Sequence, residues 1–199
     1  MDLKQLVEDL RNTGVSKSRP RWRVWEPFMI KYHLDVICEL GVQHGVNFKQ
    51  LIKHGPKLAV AVDCWTNDIF LGHNDLCYTQ EELDKQYEDF KAEMADKPFV
   101  KIMREYSYDA VKKFPDEFFD LVYIDADHTY EGVKRDLEDW YPKLKKGGVF
   151  CGHDYARKAH NTTKGLLRFG VVEAVNEFSK ANNIELFVVP NSTWVLIKP

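Results

Sequence analysis

The order of apolar and helical segments predicts an α/β fold: one seven-stranded, mostly parallel sheet with an antiparallel last strand and helices on both faces. Three observations carry this expectation. Short apolar runs alternate with helix-length stretches, the pattern of parallel strands joined by covering helices. The last two runs are separated only by Pro190, Asn191 and Ser192, too few residues for a parallel crossover, so they form an antiparallel hairpin. The 199 residues, 44% hydrophobic and 13% aromatic, can bury one sizeable core and are ordinary for one domain. The chain is therefore read as a single domain spanning residues 1–199.

The expected strands are Asp35–Leu40 (DVICEL), Leu58–Asp63 (LAVAVD), Phe99–Arg104 (FVKIMR), Phe119–Asp125 (FDLVYID), Val149–His153 (VFCGH), Ile184–Val189 (IELFVV) and Thr193–Lys198 (TWVLIK). Their connections are short. A helix follows the first strand over Asn47–His54. Over Gln80–Ala95, Thr79 can cap the helix and Glu82 completes a capping box; its polar surface marks a solvated outer face. Val133–Leu144 and Val171–Ala181 read as further covering helices. Thr66–Tyr78 and Tyr155–Gly170 have weak periodicity and carry Gly, Asn and His, so both read as loops able to move over a site. No repeat, low-complexity tract or linker divides the chain.

The formal net charge is −3 with both signs interleaved, which offers no global field for nucleic acid or an anionic membrane. A small neutral or mixed-charge ligand fits better. No apolar run approaches the ~20 residues that span a bilayer, and the amphipathic N-terminus MDLKQLVEDLRNTG does not read as a signal peptide. An intracellular, cytoplasmic chain is expected. Cys38, Cys64, Cys77 and Cys151 sit singly with no CxxC, so neither a disulfide nor a zinc cluster is expected.

Ligands in an open α/β sheet bind beyond the carboxyl ends of the strands. Those ends are Glu39–Gly45, Asp63–Trp65, Arg104–Tyr108, Asp125–His128 and His153–Tyr155. The first reads ELGVQHG, two glycines between a strand and a helix, where glycine permits a tight turn and close approach of a ligand to the backbone. The third glycine of the dinucleotide fingerprint GxGxxG is missing, which counts against a dinucleotide oxidoreductase. Glu39 suits a cationic ammonium better than a pyrophosphate, and Asp63 can accept from a ribose diol. Each such charge-assisted hydrogen bond contributes roughly 1.5–3 kcal/mol. On the residues alone, a plain strand-to-helix turn at Gly41 and Gly45 and a loop cap at Asp63 stay open.

Together, ELGVQHG, VAVDCW, YIDADHTYEGVKRDL, GGVFCGHDY and GVVEAVNEF resemble the S-adenosylmethionine-dependent class I methyltransferases, particularly the small family whose members often methylate hydroxyls of sugars and natural products. The resemblance runs from about Asp35 to Phe178, and DADHTYEG with GGVFCGHDY is its most specific part. It implies a Rossmann-like fold, with which the terminal hairpin agrees. It also implies that Glu39, Gly41 and Gly45 line the methionine part, that Asp63 holds the ribose with Cys64 and Trp65 beside it, and that Ser107 and Tyr108 lie near the adenine. Residues 1–34 would form an N-terminal helical cap or an acceptor-side segment.

An aliphatic hydroxyl is barely acidic, so O-methylation needs a base or a cation that lowers the hydroxyl pKa. Asp125, Asp127, His128, His153 and Asp154 come from two adjacent strand ends and offer both. The expected assignment is Asp125, His153 and Asp154 as metal ligands, Asp125 also bordering the cofactor, with His128 as base and Asp127 as competing base or outer acid. Metal-dependent O-methyltransferases resemble this arrangement, but His153 departs from it: a nitrogen ligand suits Mn²⁺ or a later metal better than Mg²⁺. A site without metal stays open, as do an N-cap at Asp127, a surface His128 and a supporting His153. Asp125 is the hardest to assign a purely structural role, because an ionised carboxylate at the mouth of a buried strand is costly unless paired.

RPRWRVWEP (Arg19–Pro27) could stack on bases, but it is short, isolated and set in an acidic chain, and it is read instead as packing the N-terminal helix across the cofactor mouth or lining the acceptor pocket, where aromatic faces suit sugar rings. Tyr155, Arg157, His160 and Asn161 are acceptor-side candidates. The expected activity is therefore methyl transfer from S-adenosylmethionine to a sugar or glycan hydroxyl, assisted by Mg²⁺ or Mn²⁺. The alternatives are a non-sugar acceptor such as a catechol, or a nucleic-acid methyltransferase.

Overall fold

The structure, a computed structural model, describes residues 5, 8, 25–67, 78–156, 159–162, 165–189 and 192–199. In chain order it contains α1 (Trp25–Tyr32), β1 (Val36–Leu40), α2 (Phe48–Leu51), β2 (Leu58–Asp63), α3 (Gln80–Met94), β3 (Val100–Arg104) and α4 (Ser107–Ala110). These are followed by β4 (Phe119–Ile124), α5 (Tyr130–Trp140), β5 (Leu144–Gly152), β6 (Ala159–Thr162), β7 (Gly165–Arg168), α6 (Val171–Ala181), β8 (Phe187–Val189) and β9 (Thr193–Ile197). Seven strands form one sheet in the order β3-β2-β1-β4-β5-β9-β8. The first five are parallel, and β9 runs antiparallel to both β5 and β8. The expected Rossmann-like sheet and its closing hairpin are both present.

Period-two alternation splits each central strand between two cores. Ile37, Ala61, Leu121 and Tyr123 face α1, α2 and α3 with Phe48, Trp65 and Phe90. Cys38, Val60, Val122 and Ile124 face α4, α5 and α6 with Leu137, Trp140 and Val175. Burial on both faces is why these strands read as unbroken apolar runs. Glu39 is the exception, a carboxylate 1% exposed on the α1–α3 face and in register with Ala61 and Tyr123. Cys38, Cys64 and Cys151 are free thiols.

Several elements depart from their sequence expectation. The Tyr155–Gly170 segment is not all loop, because β6 and β7 pair as a separate antiparallel hairpin; its polar residues hid the strand signal. β5 starts at Leu144 rather than Val149, since Leu144 pairs with Phe119 across a register irregularity. The helix expected over Asn47–His54 is one α-helical turn. α5 begins at Tyr130, where Thr129 caps it by accepting from the Gly132 amide. The capping box of α3 forms as expected between Thr79 and Glu82. Cys77, Arg157 and residues 9–24, with most of the RPRWRVWEP stretch, lie outside the described residues, as do the side chains of His160 and Asn161.

The neighbours β1 and β4 mark where the strand order reverses, and a crevice opens there beyond the carboxyl ends. Backbone hydrogen bonds continue past the strands and align their ends: Gly41 N donates to Val62 O (2.9 Å), Asp125 N to Leu40 O (2.8 Å), Glu105 N to Asp63 O (3.0 Å) and His153 N to Ile124 O (3.1 Å).

Candidate functional site

A cavity of about 440 Å³ occupies this crevice. Glu39, Gly41, Asp63, Cys64, Trp65, Ser107, Tyr108, Asp125, Asp127, His128, His153 and Asp154 all line it. Of the residues singled out in the sequence for cofactor, metal or base, Gly45 alone is not in its wall. Gly45 has φ +69°, and a Cβ there would lie 2.4 Å from the Phe90 ring. Its role is to let α3 approach.

Gly41 has φ +83°, and a Cβ there would fall 2.0 Å from the Asp125 carbonyl oxygen. Only glycine fits between β1 and the end of β4. The chain then turns through Gln43 at φ +52°, while Trp65 beyond β2 has φ +41°. Such left-handed residues cost of order 1–3 kcal/mol each and persist only when their surroundings hold them. Asp63 does the holding. Its Oδ2 accepts from Gln43 N and its Oδ1 from Trp65 N, both at 2.8 Å, and Trp65 Nε1 donates to Gln43 O at 3.1 Å. The Trp65 indole, 1% exposed, packs on Tyr87 and Phe90, so it supports the wall more than it offers polar contacts.

Asn47 was not anticipated. It is 3% exposed, lines the cavity, and neither its side-chain nitrogen nor its oxygen has a hydrogen-bond partner among the described residues. A buried amide without partners is costly. A polar residue two positions past the second glycine was the available signal.

Beyond β3 the wall is aromatic. The rings of Tyr106 and Tyr108 stack at 5.1 Å and 7°, and the Arg135 guanidinium lies 4.6 Å over Tyr108. Between them, Ser107 Oγ donates to Asp136 Oδ1 at 2.5 Å. Asp136 is 2% exposed, and burial pushes its carboxyl up to about 7 although the Ser107 hydroxyl opposes the shift.

At the other end, His128 Nε2 lies 3.4 Å from Asp125 Oδ1 and 3.1 Å from Asp154 Oδ2. His153 Nδ1 is 3.0 Å from Asp154 Oδ1 and 3.9 Å from Asp125 Oδ1. Asp154, 8% exposed, takes φ +56°, which turns its side chain towards both rings. The His128 ring stacks on Phe169 at 4.5 Å and 8°, and Gly170 N donates to His128 O at 2.8 Å. The end of the β6–β7 hairpin is thus fastened to the acid cluster.

One ligand atom each from Asp125, His128 and Asp154 falls within 4.8 Å of the others. That spacing suits one six-coordinate cation, whose ligands sit about 2.0–2.1 Å from a metal such as Mg²⁺. Among the described residues this group takes its nitrogen from His128, while His153, expected as a ligand, lies against the same two carboxylates. Asp127, 7% exposed, is engaged with the start of α5: its Oδ1 accepts from Thr129 N at 2.8 Å, and its carboxyl carbon lies 2.2 Å from where a Gly132 Cβ would stand. The hydroxyl of Tyr155, an expected acceptor-side residue that is not in the cavity wall, accepts from Asn176 Nδ2 at 3.0 Å.

Comparison with known proteins gives this geometry a context. Residues 38–155, more than half of the chain, match the family described as a methyltransferase domain. Over 127 residues, 62% of the chain, it is 28% identical to y4gI of Sinorhizobium fredii (strain NBRC 101917 / NGR234), described as an uncharacterized protein; the chain spans 13% of that protein's length. Among solved structures it is similar to the SAH-bound methyltransferase PaMTH1 of Podospora anserina, with TM-score 0.60, 14% identity, and 98% of this chain and 87% of that one covered. It is also similar to the O-methyltransferase NovP, with TM-score 0.58, 14% identity, and coverage of 96% and 78%. At such identities the likeness to solved structures is one of fold. No helix among the described residues is long and apolar enough to cross a membrane.

Proposed function

The chain belongs to this methyltransferase-domain family, and from that premise we propose that it transfers the methyl group of S-adenosylmethionine to a hydroxyl oxygen of a sugar, glycan end or sugar-bearing small molecule, with a divalent cation beside the acceptor. The observation that carries the reading is that one cavity joins the Asp63 turn to the Asp125–His128–Asp154 cluster. S-adenosylmethionine supplies an electrophilic methyl on a sulfonium when bound. The residues fit it: Glu39 brings negative charge for an ammonium, Asn47 brings an amide whose burial calls for a polar ligand, and Asp63 brings a carboxylate of the kind that accepts from a ribose diol.

Asp125, His128 and Asp154 are the residues suited to hold a cation, which would lower the acceptor hydroxyl's pKa and orient its oxygen. A mixed nitrogen and oxygen donor set favours Mn²⁺ or a later metal over Mg²⁺. This exchanges the two histidines relative to the sequence assignment. With Nδ1 directed at Asp154, His153 has Nε2 left to take a proton, an imidazole oriented by a carboxylate. The preference for a sugar rests on the family resemblance alone. An acceptor screen therefore begins with sugars and includes a catechol.

Thermal unfolding with S-adenosylhomocysteine, with and without Mn²⁺ or Mg²⁺, against a chelated control and against NAD, tests the reading. A ligand at 100 times its Kd stabilises by about 2.7 kcal/mol. Separate shifts with the nucleoside and with metal, and none with NAD, are expected. His128→Ala should lose the metal shift and keep the nucleoside shift, whereas His153→Ala should keep both. A nucleoside shift without a metal shift would return His128 to the role of unaided base; a shift with NAD alone would overturn the cofactor.

A further inference from the structure

Ser107 and Asp136 stand 29 residues apart in sequence, and their contact fixes a chemical polarity in the cavity wall. A serine hydroxyl carries one hydrogen and two lone pairs. With its hydrogen given to Asp136 Oδ1 at 2.5 Å, Ser107 can turn only lone pairs towards the cavity it lines. The neighbouring groups are flat, namely the parallel Tyr106 and Tyr108 rings and the Arg135 guanidinium. They adjoin the Asp63 strand end through the Glu105 amide. Flat faces beside a diol-accepting carboxylate suit the base of a nucleoside, since aromatic and guanidinium planes stack on bases.

We infer that Asp136 is a positioning residue that orients the Ser107 hydroxyl as an acceptor and so makes the cavity select a 6-amino purine over a 6-oxo purine. The inference rests on the adenosyl-cofactor reading above. The 6-amino group of adenine donates, and the 6-oxo group of hypoxanthine presents lone pairs. Against a fixed acceptor, one forms a hydrogen bond and the other sets acceptor against acceptor. Asp136 is expensive to keep for packing alone: it is 2% exposed, and its burial disfavours the charged form. A carboxylate, unlike an amide, cannot donate back to Ser107 and release the hydroxyl hydrogen. Asn in its place could.

Isothermal titration at pH 8, where Asp136 is ionised, with S-adenosylhomocysteine and its inosine counterpart, S-inosylhomocysteine, tests this. The wild type should prefer the adenosyl ligand by on the order of tenfold or more. Asp136→Asn should narrow the preference to about twofold by binding the inosyl ligand better, a change that a purely structural tie between α4 and α5 would not produce. Ser107→Ala should lose the preference by weakening the adenosyl ligand. A wild-type ratio retained in either variant, or a wild type that binds both ligands equally, would overturn the inference. A wild type that binds neither would bring down the cofactor reading, and this inference with it.

Discussion

Asp63 accepts from two backbone amides, and both belong to residues at positive φ. Asp63→Ala therefore removes the clamp from Gln43 and Trp65 together and leaves two partly buried donors unpaired. The expected loss is about 2–3 kcal/mol of unfolding free energy in urea titration, with S-adenosylhomocysteine affinity down at least about tenfold. Loss of affinity without loss of stability would mean that the carboxylate contacts ligand but does not hold the turns. Gly41→Ala is harsher, because both φ and the Asp125 carbonyl refuse a Cβ; a loss of more than about 3 kcal/mol, seen as failure to accumulate folded protein, is expected. At this scale the sequence announced the acids, because charge at the end of a buried strand is costly unless a partner or a ligand meets it. It assigned the two histidines without their distances to Asp125 and Asp154, which depend on how Asp154 bends the chain. It could not pair Ser107 with Asp136, since no local period joins a strand end to a distant helix.

At the scale of elements, the start of α3 matters more than its length. Thr79 Oγ accepts from Glu82 N, and Glu82 Oε2 accepts from Thr79 N. The next residue, Gln80, donates from Nε2 to Trp65 O at 3.0 Å and accepts at Oε1 from Asn67 N at 2.9 Å. The first turn of α3 thus holds the chain that leaves β2. Thr79→Ala should cost about 1 kcal/mol in chemical unfolding; no change would mean that contacts of Leu83 and Phe90 hold the turn unaided. This helix was legible because its signals are local. β6 and β7 were not, because AHNT and GLLR carry no period-two apolar pattern and their pairing is set by tertiary context. The first turn of α5 was missed for a related reason: Asp127 and Thr129 both bid for its cap, and the structure uses Thr129 for the Gly132 amide and Asp127 for the Thr129 amide.

For the whole molecule, the buried carboxyl of Asp136 has an effect on stability of definite sign. Its pKa rises from 3.8 to about 7 on folding, so between those values the folded chain holds a proton that the unfolded chain has released. Stability from this group is then greatest at low pH, falls as pH rises from about 4 to about 7, and is flat above. The charged groups acting on it are Arg135, which favours ionisation, and Asp127 and Asp139, which oppose it. Asp84 and Asp96 have the opposite sign, each held below the ordinary carboxylate range by Arg104 and Lys97 respectively. They are exposed and act only below about pH 4, so the two windows separate. Asp136→Asn removes the slope, and the wild type should lose on the order of 2 kcal/mol against it between pH 5 and pH 8. Urea unfolding of both proteins at the two pH values measures this directly. Parallel pH dependence would mean that folding does not raise the Asp136 pKa and that its burial is matched by its partners; a loss of about 4 kcal/mol would mean that Asp136 stays protonated up to pH 8, in which case it could donate to Ser107 and the polarity of the wall would reverse, whereas the expected loss of about 2 kcal/mol would show that the protein ionises this carboxylate near pH 7 at a cost to its own stability.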